Sequence, residues 1–184
     1  RKADIVGFGN NGVWTSLATG NGRFAPPVLV VDNYGTEHGW TPEKHVRLMA
    51  DISGDGLADI VGFGQAGVWT SLARGDGQFI SPVFGVANYG ADQGWTPAKH
   101  VRAMADIDGD RKADIVGFGK ERVWTSRSIG DGRFTVVAPA VQNFATDQGW
   151  TPEKHVRLLA DINGDGNADI VGFGAAGVWT ALSN

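Results

Sequence analysis

The segment Ala-Asp-Ile-Val-Gly-Phe-Gly occurs four times, beginning at Ala3, Ala58, Ala113 and Ala168, with a constant spacing of 55 residues. Val-Trp-Thr-Ser or Val-Trp-Thr-Ala follows at Val13, Val68, Val123 and Val178, and Gly-Trp-Thr-Pro with a nearby Lys-His-Val-Arg recurs around Trp40, Trp95 and Trp150. A fixed period near 50 residues is a signature of propellers and solenoids, whose units bury their faces only against their neighbours. The same repetition explains 28 glycines and seven tryptophans in 184 residues, and it fits recent duplication or design.

Each period reads as four short β-rich runs bounded by turn residues. In the second unit they are a first run from His45 (HVRLMADI), a second from Asp59 (DIVGFG), a third from Val68 (VWTSLA) and a fourth from Phe79 (FISPVFGVA). The first and third alternate side chains by face, and none is long enough for an ordinary helix. A solenoid coil is usually shorter, and a sandwich gives no reason for near-identical units. The fold class expected is therefore all-β, a β-propeller of 55-residue four-stranded blades, with two full and two partial blades in this chain. The units fall at about residues 1–36, 37–91, 92–146 and 147–184 of one repeat domain. Phe8, Phe63, Phe118 and Phe173, with the tryptophans of the Val-Trp-Thr runs, are expected to pack between neighbouring blades. Unmatched runs at both ends point to copies associating into a larger ring, or to a longer repeat array.

Composition narrows the partners. A net charge of −4 with interspersed signs and no basic run argues against a nucleic-acid backbone or an anionic membrane surface. Apolar runs are too short to span a bilayer. Without cysteine there is neither a disulfide framework nor a thiolate metal site. The sequence starts without Met and shows no signal-like segment, leaving localisation open between extracellular and cytoplasmic.

Three junctions between first and second runs carry nine-residue acidic loops. Oxygen side chains at loop positions 1, 3, 5 and 9, with a backbone carbonyl at 7, can surround a hard cation such as Ca²⁺. The ligand sets are Asp51, Ser53, Asp55 and Asp59; Asp106, Asp108, Asp110 and Asp114; and Asp161, Asn163, Asp165 and Asp169. Alternatively, these carboxylates cap a turn by accepting backbone N–H groups. The third set is the fullest, Ser53 is a weak ligand, and Arg111 replaces a turn glycine in the second loop. No nucleophile or base accompanies the loops, so any metal there is structural.

Antiparallel connectivity puts the longest connections, such as Asn33 to His45, on the opposite face, spanning the crevice between blades. They hold Asn33, Tyr34, Trp40 and His45; Asn88, Tyr89, Trp95 and His100; and Asn143, Phe144, Trp150 and His155. Planar amides and aromatic faces suit the hydroxyls and C–H surface of a sugar. The other reading is that Gly-Trp-Thr-Pro merely folds the loop, with Trp buried and His bonded to backbone. The loop after the third unit's Gly-Phe-Gly carries Lys120, Glu121 and Arg122 in place of Gln65, Ala66 and Gly67, which should weaken or close its crevice.

The acidic loop followed by Gly-Phe-Gly resembles the FG-GAP repeats of integrin-type propellers. The fuller stretch NYGTEHGWTPEKHVRLMADISGDGLADIVGFGQAGVWTS, from Asn33, is similar to a blade of fungal lectins of the Psathyrella velutina type. That resemblance implies a calcium-binding propeller that takes N-acetylglucosamine, and also sialic acid, between adjacent blades. The function expected is a multivalent lectin for glycans carrying N-acetylglucosamine, and the alternative is an integrin-like protein-interaction module. Catalysis is not expected: a glycosidase needs two carboxylates about 5 to 9.5 Å apart in one pocket, whereas the repeated carboxylates here are placed in the acidic loops.

Overall fold

A computed structural model describes residues 3–183; Arg1, Lys2 and Asn184, at the outer ends of the first and fourth units, lie outside the described residues. The first unit contains β1 (Ile5–Phe8), β2 (Val13–Ser16), a small ribbon of β3 (Ala18–Gly20) and β4 (Arg23–Phe24), and β5 (Val28–Val31). The second contains β6 (Val46–Ala50), β7 (Asp59–Phe63), β8 (Val68–Ser71) and β9 (Val83–Val86). The third contains β10 (Val101–Ala105), β11 (Asp114–Phe118), β12 (Val123–Ser126) and β13 (Ala138–Pro139), and the fourth β14 (Arg157–Ala160), β15 (Asp169–Gly174) and β16 (Gly177–Ala181).

The blades are antiparallel sheets ordered β1-β2-β5, β6-β7-β8-β9, β10-β11-β12-β13 and β14-β15-β16. The chain is thus all-β and propeller-built, with two four-stranded blades between two partial ones. First strands of successive blades lie side by side, β10 touching both β6 and β14. The fourth run is shorter than its sequence implies. Phe79 only bridges to Ala73, and regular pairing starts at Val83. Pro82 stands between them and has no N–H to give a ladder.

All five residues of β7 and of β11 are buried, because a neighbouring blade covers each face of the middle strands. Phe63 and Phe118 pack between blades as expected and are fully buried. Phe63 meets the Tyr89 ring edge-on at 6.4 Å, and the Arg102 guanidinium of the next blade sits 5.6 Å above its ring centre. Arg47 over Phe8 and Arg157 over Phe118 repeat the contact at 5.4 Å. In the fourth blade, by contrast, Phe173 is 45% exposed.

Glycine in the second strand clears space for two rings at once. A Cβ on Gly117 would lie 2.6 Å from the Trp95 indole and 2.8 Å from the Tyr89 ring, and Gly62 and Gly172 stand in the same relation to their own aromatic pairs.

The hairpin joining third and fourth strands reaches back onto the preceding blade. Thr15 Oγ1 donates to the Gly77 carbonyl at 3.1 Å, and Thr70 Oγ1 to the Gly132 carbonyl at 2.7 Å. Phe134, carried by such a hairpin, is buried in a cluster with Ile52, Val61 and Ile115. One period further along, Ile107, Val116 and Ile170 line a cavity of about 290 Å³.

Candidate binding crevices and acidic loops

Each inter-blade connection begins with Asn, whose side chain organises the residues after it. Asn33 Oδ1 accepts the Tyr34 N–H at 2.6 Å and the Trp40 indole N–H at 3.0 Å, and Asn143 holds Phe144 and Trp150 in the same way. The next residue is left-handed, at φ 62° for Tyr34, 63° for Tyr89 and 58° for Phe144. That twist turns each ring inward.

Tyr34, Tyr89 and Phe144, expected at the ligand site, are therefore core residues, at most 1% exposed. Tyr34 and Tyr89 share hydrogen bonds with Ser71 and Ser126 at 3.1 and 3.0 Å, and burial pushes both phenols up. Phe144 packs in the cluster that Ala181 borders. Hydroxyl and partner have disappeared together in that unit, so neither side of this contact carries a polar atom that needs a match.

Trp40, Trp95 and Trp150 are largely buried at 7% exposure, each with an edge on a cavity. The histidines adopt the backbone-bonded reading: Nδ1 of His45, His100 and His155 accepts the N–H of Thr41, Thr96 and Thr151 at 3.1 to 3.2 Å. With Nδ1 an acceptor, the neutral ring carries its proton on Nε2. In His45, which is 6% exposed, Nε2 is buried with the Gln65 side chain as its neighbour, and the ring borders the crevice.

Burial holds His45 and His100 below the ordinary imidazole value. As pH falls, the unfolded chain takes up these protons first, near pH 6.5. Their contribution to stability is thus full above that value and is lost as pH falls toward the lower folded pKa values. The urea midpoint should drop further between about pH 7.5 and about pH 5 in the wild type than in His100→Gln. Equal drops would contradict the assignment.

Two crevices share one lining. The first, about 330 Å³, is bordered by Asn33, Gly39, Trp40, His45, Ala66 and Trp69, with His38 and Gln65. The second, about 390 Å³ and two repeats along, is bordered by the counterparts Asn143, Gly149, Trp150, His155, Ala176 and Trp179, with Gln148, Gly174 and Ala175. The wall after the Gly-Phe-Gly of blade two is fixed from behind: Ala91 and Asp92 donate their N–H groups to the Gly64 and Gln65 carbonyls at 3.1 and 2.9 Å.

Between these two crevices the pattern breaks. A wider cavity of about 610 Å³ takes in Trp95, His100, Lys99 and Lys120, together with Asp147 and Glu153, but neither Asn88 nor Trp124. The Arg122 guanidinium lies 5.7 Å from the Trp124 ring centre and covers the face that its counterparts offer to the crevice.

Trp69 and Trp179 were not expected at the site. Trp69 and Trp124 do pack against inter-blade clusters, but Trp69 is half-buried, stands edge-on to Phe84 at 5.1 Å and also walls the crevice, while Trp179 is 52% exposed. Strand alternation held the signal. Val68 and Thr70 are fully buried, so Trp69 between them points the other way, next to the crevice loop.

On the opposite face the acidic loops are held by their own backbones. Asp51 accepts N–H groups from Gly54 and Gly56 at 2.7 Å each, and Asp161 from Gly164 and Gly166 at 2.6 and 2.9 Å. Asp59, Asp114 and Asp169 are fully buried and bond the third strand's exit at Ala73, Ser128 and Ser183. Burial raises Asp114 to about 6. The turn-capping role of these carboxylates is thus real, and among the described residues a trio of carboxylates drawn within 4.8 Å of one another occurs in the second loop alone, at Asp106, Asp108 and Asp114.

The chain matches an FG-GAP-like repeat model twice, over residues 51–117 and 106–172. Its structure superposes on an Agrocybe aegerita lectin, described for specific recognition of non-reducing terminal N-acetylglucosamine, with 42% identity and a TM-score of 0.95 over all of this chain and 46% of that one. A T-cell immunomodulatory protein homolog from Plasmodium falciparum (isolate 3D7) is 28% identical over 140 residues, 67% of this chain and 18% of that protein. The Photorhabdus luminescens Tc holotoxin pore shares the fold alone, at 20% identity and TM-score 0.67 over 96% of this chain and 8% of that one. This chain spans under half the length of the lectin and under a fifth of the Plasmodium protein. Two tandem matches covering most of the blades place the chain in the FG-GAP-like repeat family.

Proposed function

We propose that this protein is a lectin for terminal N-acetylamino sugars, N-acetylglucosamine first and sialic acid second, held in the two like crevices. The observation that supports it most is the shared lining of the two crevices, each with two indoles and a histidine: Trp40, Trp69 and His45 in one, Trp150, Trp179 and His155 in the other. An acetamido carbonyl would accept an imidazole Nε2 proton, while the indoles would receive the acetyl methyl and the sugar's C–H face. The lectin neighbour's described specificity agrees with this. Nothing in the reading calls for catalysis. Ca²⁺ at the first and third loops would brace first and second strands from the other face.

Association of copies into a larger ring belongs to the same proposal. Phe173 and Val178 are 45% and 59% exposed on the fourth blade, whereas their counterparts Phe63 and Val68 are fully buried under the next blade.

Calorimetric titration with N-acetylglucosamine should show two weak equivalent sites per chain, and glucosamine, which lacks the acetyl group, should give no heat. Silence with N-acetylglucosamine at millimolar concentration, calcium present, would remove the lectin reading.

A further inference from the structure

The second acidic loop departs from its siblings at several places that meet in space. Asp108 adds a carboxylate where the others have Ser53 and Asn163. Arg111 replaces Gly56 and Gly166, Lys112 replaces Leu57 and Asn167, and Arg127, on the adjoining strand exit, replaces Leu72 and Leu182. One extra acid has come with three bases.

The geometry shows where those bases go. Lys112 Nζ is paired with Asp110, its side chain only 22% exposed, and Arg127 Nε lies 3.4 Å from Asp108. The Lys112 stem runs past two glycines of neighbouring segments. A Cβ on Gly54 would meet its Cγ at 3.1 Å, and one on Gly130 its Cδ at 3.3 Å. Oxygens of Asp106, Asp108 and Asp114 all come within 4.8 Å of one another. Three carboxylates that close repel strongly unless a positive charge is at hand. Arg111, held at φ 69° with its N–H donated to Asp106 at 2.7 Å, keeps the turn closed without the usual glycine.

We infer that Lys112 is the resident cation of this loop, its ammonium doing electrostatically what a divalent ion would do, so that the loop excludes Ca²⁺. A bound Ca²⁺ would have to displace an ammonium already paired with one of its ligands, and would then face Arg127 as well. The inference concerns this loop alone and stands whether or not the other two take up metal.

Calcium stoichiometry measured by equilibrium dialysis on the full chain provides the test. Lys112→Gln should bind one more ion than the wild type and lose it again in Lys112→Gln/Asp106→Asn, while Asp106→Asn in the wild type should leave the count unchanged. Lys112→Met is the second variant, and circular dichroism with and without chelator reports folding. A variant that folds only with calcium would also support the assignment, because metal then replaces the missing charge. The inference is overturned if folded Lys112→Gln and Lys112→Met bind no more ions than the wild type. It is equally overturned if Asp106→Asn removes an ion from the wild type, or if neither lysine variant folds even with calcium.

Discussion

Replacing Tyr89 by alanine should lower the unfolding free energy by about 4 kcal/mol, the cost of emptying a buried aromatic position that its neighbours cannot refill. The ring is fully buried between Phe63 of one blade and Trp95 of the connection, over a glycine that leaves it room. Its backbone is left-handed, and alanine gains no relief there. Tyr89→Phe keeps the ring and forfeits only the bond to Ser126, a loss of about 1 kcal/mol. Adding Ser126→Ala should recover part of that, since Phe144 already stands in the third connection, where the blade behind it carries Ala181. Urea unfolding of the three variants distinguishes these terms, and equal losses for alanine and phenylalanine would show that the ring is not a core element.

The second large effect concerns binding. Trp69→Ala or Trp179→Ala should each reduce retention on a surface dense in N-acetylglucosamine by at least about 100-fold, because two weak crevices engaged together supply the avidity and one alone does not. Trp124→Ala should leave retention nearly unchanged, since Arg122 already covers that ring. Surface plasmon resonance on a glycan-coated chip reads all three, with soluble-sugar calorimetry as the control for site number. A comparable loss in Trp124→Ala would mean that the middle crevice is also used.

These two residue classes show what a sequence of this kind discloses. Periodicity and run length were enough for the blades, and the recurrence of Gly-Phe-Gly rightly placed Phe63 and Phe118 between them. The chemistry of the connections was legible by residue type, which placed Asn33, Trp40 and His45 together. The orientation of Tyr34 was not, because it depends on a left-handed backbone that an aromatic residue seldom adopts and no neighbouring residue announces. Trp69 does pack between blades as expected, and its second position, on the crevice, was missed. An indole inside a strand reads as packing, and only its position at the crevice end of that strand brings it to the ligand face. Arg122 was legible as bulk and charge, but its stacking on Trp124 required coordinates. The acidic loops carried both readings at once, and the carboxylates that cap the turn are the same ones proposed to hold metal.

The back-reaching hairpins also bear on synthesis. Those of the second and third units are latched to a threonine of the blade before, Gly77 to Thr15 and Gly132 to Thr70. In both, the receiving surface precedes its hairpin in the polypeptide. As the chain leaves the ribosome from its N-terminus, these two hairpins emerge after the blades they settle on. Vectorial translation thus presents the template before the piece, and the near-identity of the units need not confuse the order in which they stack.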